Sequence, residues 1–218
     1  MEDTTIEDVL KTVESLYANK DFDGALKILK ENQNTLPQGV WNYNMGTIYG
    51  KTGELALARY HFLQAEASGF SEAELLKNKA LVENSLTTSR YEEAVSVNDY
   101  LIKNALFASE GLLTTLAFIC LLFSLGILSK TKKVKSALLL LIPVLVFACL
   151  NLWINSWPKK IVIETQTIKE GPSAIFNNQG ELPLGVMLIT TKKDGWLYIQ
   201  YPSRFNGWIK DTGLKELK

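Results

Sequence analysis

Histidine is nearly absent from this chain: His61 is the only one. A metal site needs several such ligands converging on one point, and a lone imidazole reads as a surface or packing residue. Cysteine is almost as scarce. Cys120 and Cys149 both lie in long uncharged stretches, where a thiol packs as a small apolar residue, so neither a disulfide nor a metal site is expected. Net charge is missing too. The 23 basic residues balance 23 acidic ones, which leaves no electrostatic footprint for nucleic acid. There is no glycine-rich phosphate loop and no pocket-like pair of carboxylates. Asp21 and Asp23 fall on a turn and read as solvated. These absences predict a non-enzymatic protein with no cofactor and no metal.

An export signal is also missing from the start of the chain. Met1, Glu2 and Asp3 open an acidic, polar segment, the opposite of a basic start followed by an apolar core.

What the chain does have is two apolar stretches, residues 111–129 and 136–158, on either side of a short basic link with Lys130, Lys132, Lys133 and Lys135. Each stretch has the roughly 20 residues that a helix needs to cross a bilayer. The pattern predicts a two-pass membrane protein with transmembrane helices at 105–129 and 136–158 and a basic loop at 130–135. Short lysine-rich loops favour the cytoplasm, and Trp153 and Trp157 suit a headgroup interface. The expectation is therefore a bacterial inner-membrane protein, with the loop cytoplasmic and both flanking parts periplasmic. That topology requires a cleaved signal ahead of Met1. Pro143 predicts a kink in the second helix. Thr114, Thr115 and Asn151 are candidates for contacts between helices.

Residues 1–104 carry 16 acidic and 10 basic residues, and residues 5–104 show apolar spacings of three and four, which predict helices. They also repeat. Residues 20–29 recur as 53–62, placing Ala25 and Ala58 33 residues apart. Gly46 is followed by Tyr49, then Gly53 at a turn, then Ala58, Phe62 and Ala65 in a small, large, small order. Small residues let paired helices approach closely, and large ones fill the next interval. This pattern resembles the tetratricopeptide repeat (TPR), departing from it at Trp41 and Phe70. Two repeats are read at 1–70 and a degenerate third, with juxtamembrane helices, at 71–104. The resemblance implies a groove lined by the first helix of each repeat. In this chain Tyr43, Asn44, Thr47 and Lys51 would line it and hold a partner, with Lys51 and Asn44 placed to meet a carboxylate. The other reading is that two repeats only brace the membrane hairpin.

After Pro158 the pattern changes to alternation. Residues 161–168, 185–191, 195–201 and 207–210 read as short strands separated by turn residues. Such strands in so short a segment suggest a small barrel. Residues 169–173, Gly185, 193–199 and 206–209 resemble the bacterial SH3-like (SH3b) domain, read over 159–218. Alternation sends Leu197 and Ile199 to the core. Trp196 and Tyr198 then face the other side, where with Phe176 and Trp208 they form a candidate ligand groove. Alternatively, the tryptophans complete a small core.

The predicted fold class is thus a multidomain membrane protein: an all-α TPR solenoid, a two-helix transmembrane hairpin and a small all-β SH3-like barrel. This order, together with residues 73–83, resembles the BatE proteins of the Bacteroides aerotolerance (Bat) operons. The resemblance implies a membrane-anchored scaffold. Its partners would be membrane proteins of a Bat-like complex, linked to von Willebrand A proteins and a MoxR-type AAA+ ATPase, with the lipid bilayer as a further contact. The alternative is an envelope sensor that binds peptidoglycan or a peptide through the SH3-like domain.

Overall fold

Residues 5–107, 110–131 and 134–217 are described by a computed structural model. They fall into two compact units, one drawn from Met1–Glu93 and Pro158–Lys218, the other Ala94–Trp157.

The first unit begins with helices α1 (Ile6–Ala18), α2 (Phe22–Glu31), α3 (Gln38–Thr52), α4 (Leu55–Ala67), α5 (Ala73–Leu86) and the single turn α6 (Thr88–Tyr91). Local signals set their ends. Thr5 and Asp8 form a reciprocal capping box at the start of α1, and the Asp21 carboxylate accepts the Gly24 N–H at 2.9 Å to open α2. Gly53 ends α3 at φ +86°, a left-handed conformation that suits glycine, and α4 starts two residues later.

Helices α3 and α4 pack closely because Gly46 has no side chain. A Cβ there would lie 2.7 Å from the Phe62 ring and 3.2 Å from the Ala58 carbonyl. Ala25, Ala58 and Ala65 are fully buried in the same core as Phe62. Leu29, Ile48 and Leu75 fill the same core, each contributing about 1.5–3 kcal/mol by its burial.

The strands of this unit are β1 (Lys159–Val162), β2 (Gln166–Lys169), β3 (Asn178–Leu182), β4 (Met187–Lys193), β5 (Trp196–Tyr201), β6 (Trp208–Ile209) and β7 (Leu214–Leu217). They form an antiparallel sheet in the order β3-β2-β6-β5-β4-β1-β7. Leu197 and Ile199 point into a core with Val162, Ile168, Leu182, Leu188 and Ile209, while Trp196 and Tyr198 stay half-buried. The expected SH3-like barrel does not hold. The sheet is open, with β3 at one edge and β7 at the other. Alternation fixes which face a side chain takes, but not whether the outermost strands meet. Helix α4 lies against β7 instead: Gln64 donates to the Glu216 carbonyl at 3.3 Å, and the Lys215 ammonium sits 6.0 Å from the Tyr60 ring.

The second unit holds α7 (Val97–Phe107), α8 (Glu110–Thr131) and α9 (Val134–Asn155), with α8 packed along α9. Large apolar side chains stand exposed on both, including Phe118 and Phe123 on α8 and Leu145 and Trp153 on α9. Cys120 and Cys149 are free thiols. The expected two-pass membrane protein is corrected here. Among the described residues no helix is long and apolar enough to cross a membrane. With the transmembrane hairpin go the inner-membrane localisation and the assignment of a periplasmic and a cytoplasmic side. Thr115 is exposed. The basic loop's Lys132 and Lys133, and the side chains of Thr114, Pro143 and Asn151, lie outside the described residues.

Candidate functional site

Helical spacing puts Val40, Tyr43, Asn44, Thr47 and Lys51 on one side of α3. The opposite side is used up by packing. There the Trp41 indole donates to the Leu29 carbonyl at 2.8 Å, and Asn42 meets His61. The first side faces a groove of about 780 Å³, with α3 as its floor and α1 and α5 as its walls. Leu10, Val13 and Tyr17 come from α1, and Leu81 and Val82 from α5. This volume lies in the range of ligand clefts.

Tyr43, Asn44, Thr47 and Lys51 all line this one groove. Their chemistry differs. The Tyr43 ring stacks on Phe70 at 5.0 Å, and Asn78 donates to its hydroxyl at 3.5 Å. Burial raises the Tyr43 pKa above that of an ordinary tyrosine, and Glu74 and Glu72 add to the shift. The Asn44 amide donates to the Val40 carbonyl at 2.9 Å, and the Thr47 hydroxyl donates to the Tyr43 carbonyl at 2.9 Å. Both are thus partly engaged by their own helix, whereas Lys51 is exposed. Glu14 and Glu72 also line the groove. Sequence reasoning named only the α3 contribution. The α1 wall was legible as the row Leu10, Val13, Glu14 and Tyr17, which shares one helix face.

On the sheet, Tyr198 and Trp208 pair across β5 and β6 with ring centroids 5.1 Å apart. Lys210 holds its ammonium 5.7 Å from the Trp196 ring. Phe176 is exposed and covers Gly171, where a Cβ would meet its ring at 2.6 Å. The structure therefore joins Tyr198 to Trp208, places Trp196 under a lysine and sets Phe176 on a glycine.

His61 is buried, 2.8 Å from the Asn42 side-chain oxygen, stacked on Tyr49 and edge-on to Trp41 and Tyr60. Burial holds its pKa down at about 4, with Lys215 and Lys30 adding to the effect. It is a neutral packing residue at pH 7.

The feature that the sequence did not reveal is a buried ion network joining helices to sheet. Arg59 on α4 reaches Glu92 at 2.6 and 3.0 Å, Glu83 at 3.1 Å and the Gly185 carbonyl at 2.5 Å. Glu92 also accepts the Met187 N–H at 2.7 Å, and the Tyr201 hydroxyl donates to the Glu92 carbonyl at 3.0 Å. Burial works against the charged guanidinium, but Glu92 and then Glu83 outweigh it and raise its pKa. One signal was present in the sequence. Residues 55–65 offer almost no polar face, as expected of a helix covered on both sides.

Compared with known proteins, the chain matches no family model, no curated protein and no solved structure. Nothing in these comparisons identifies a BatE-like family, a TPR or an SH3-like domain.

Proposed function

We propose that this protein is a non-enzymatic adaptor that holds a segment of a partner protein in the groove between α1, α3 and α5. One observation carries the reading: α1, α3 and α5 converge on a single largely apolar groove, and Tyr43, Asn44, Thr47 and Lys51 lie along it. A groove with apolar walls and a few polar groups is a recurring way of holding a peptide segment. The side chains supply no obvious chemistry. The only imidazole is buried and neutral, and both cysteines lie in the other unit. The resemblance to BatE would make the partners components of a Bat-type complex. That part rests on the repeat pattern and residues 73–83.

A second reading puts a peptide or peptidoglycan ligand on the aromatic face of Trp196, Tyr198 and Trp208. Its support is that these rings are half-exposed and gathered on neighbouring strands. Two variants separate the readings: one with Tyr43, Asn44 and Lys51 changed to Ala, the other with Trp196 and Tyr198 changed to Ala. Proteins that co-purify from the native host are compared by mass spectrometry. The adaptor reading expects partners to be lost from the first variant and kept by the second. The reverse result would move the site to the sheet.

A further inference from the structure

The α5 wall of the groove is held by few apolar side chains. Helix α5 buries Leu75 and Val82, whereas α3 buries Trp41, Met45, Ile48 and Tyr49. Leu76 and Leu81 of α5 stand exposed. Yet Asn78, Leu81 and Val82 line the groove, so the position of α5 sets its width. No side chain caps the start of α5. Its other end runs into Thr87, which adopts φ +52° in the left-handed region. That conformation is unfavourable for a β-branched residue and persists only where the surroundings enforce it.

Arg59 supplies the enforcement. Glu83 precedes Thr87 and Glu92 follows it, and both bind the same guanidinium, Glu83 at 3.1 Å and Glu92 at 2.6 and 3.0 Å. Arg59 thus staples the two sides of the turn together. It also donates to the Gly185 carbonyl in the turn before β4. Leu86 of α5 packs on that same turn: a Cβ on Gly185 would lie 2.6 Å from its side chain. Glu83 directly follows the groove residue Val82, so the staple acts next to the wall itself. A second ion pair, Lys79 with Glu66 at 2.7 Å, also joins α5 to α4. The Glu66 side chain is 44% exposed against 5% for Arg59, so water screens that pair far more.

We infer that Arg59 is a positioning residue of the groove: through Glu83 it fixes the C-terminal half of the α5 wall against the sheet. The inference rests on the adaptor reading for the use of the groove, and goes beyond it by giving the sheet a part in the groove's shape. Glu83 is the partner to remove. Without its charge Arg59 still holds both oxygens of Glu92, and no buried cation is stranded.

The test compares the full-length wild type with Glu83→Gln and Glu66→Gln by hydrogen exchange and mass spectrometry. Glu83→Gln is expected to speed exchange of the α5 amides about tenfold through local opening, with α3 and α4 unchanged. Glu66→Gln, which breaks the exposed pair, is expected to change them less than about threefold. Unchanged α5 exchange in Glu83→Gln overturns the inference. So does an equal rise in α3 and α4, which would report general destabilisation, or an equal effect of Glu66→Gln. The link to the groove is read in the native host from a photoreactive residue at Lys51, with Thr47→Trp, which fills the groove, marking the background. Glu83→Gln is expected to lower the yield of the Lys51 adduct, and Glu66→Gln to leave it near wild type. Equal yields from the two variants would show that the staple does not shape the groove. A wild type that yields no adduct above background would instead sink the adaptor reading, and exchange alone would then decide whether Arg59 holds α5.

Discussion

Replacing Glu92 by Gln should destabilise the first unit far more than a single charge-to-amide change on a surface would. The side chain of Arg59 is only 5% exposed, and its partners are Glu92, Glu83 and the Gly185 carbonyl. Glu92 supplies both of its carboxylate oxygens to that guanidinium. Without its charge, the arginine is left buried against the half-exposed Glu83. Removing one partner of a buried pair costs about 3–5 kcal/mol, because the other charge is stranded. Against a typical total of about 5–15 kcal/mol, that is a large fraction. Glutamine keeps an oxygen for the Met187 N–H, so the loss reports charge rather than a missing backbone partner. The assay is urea unfolding, followed by far-UV circular dichroism for the helices and by tryptophan fluorescence. The midpoint should fall by more than about 1 M, and both signals should move together, since Arg59 and Glu92 lie on the helical side while Gly185 and Met187 belong to the sheet. The double variant Glu92→Gln with Arg59→Met removes the stranded charge and should be more stable than Glu92→Gln alone. A cost below about 1 kcal/mol, the level of exposed pairs, would refute the reasoning. So would a helical transition that stays in place while the sheet unfolds.

Two further outcomes are expected. The folded-state pKa of His61, about 4, lies below its unfolded value of 6.5, so its contribution is complete above pH 6.5 and is lost as pH falls toward 4, reaching about 3 kcal/mol. The difference in unfolding free energy between wild type and His61→Gln should therefore shrink across that window, and a difference that stays constant with pH would show that His61 is not held neutral by burial. Gly46→Val should lower stability by roughly 1–3 kcal/mol, because its side chain would meet the Phe62 ring and the Ala58 carbonyl; an unchanged melting temperature would contradict the close approach of α3 and α4.

Short-range features of this fold could be read from the sequence because they depend on spacing alone. Gly46, Ala58, Phe62 and Ala65 mark a close helix pair within 20 residues. Tyr43, Asn44, Thr47 and Lys51 share a face by helical periodicity. Leu197 and Ile199 alternate with Trp196 and Tyr198 as a half-buried strand requires. What could not be read depends on residues far apart. Arg59 and Gly185 are 126 positions apart, and nothing local announces their bond. Strand β3 buries only Leu182 and is otherwise polar, so it gave little strand signal, and without it the sheet's edge was invisible. A barrel was expected because alternation looks the same in open and closed sheets. The membrane hairpin was expected from apolar runs alone.

The account stands most directly on one measurement, photocrosslinking from the groove. A photoreactive residue is placed at Lys51, and in a second protein at Gln200, which is exposed on the sheet. Both are irradiated in the native host. The account predicts that Lys51 crosslinks to a specific protein partner, that Thr47→Trp abolishes the adduct, and that Gln200 yields none. A partner captured from Gln200 but not from Lys51, or an adduct at Lys51 that survives Thr47→Trp, would contradict it.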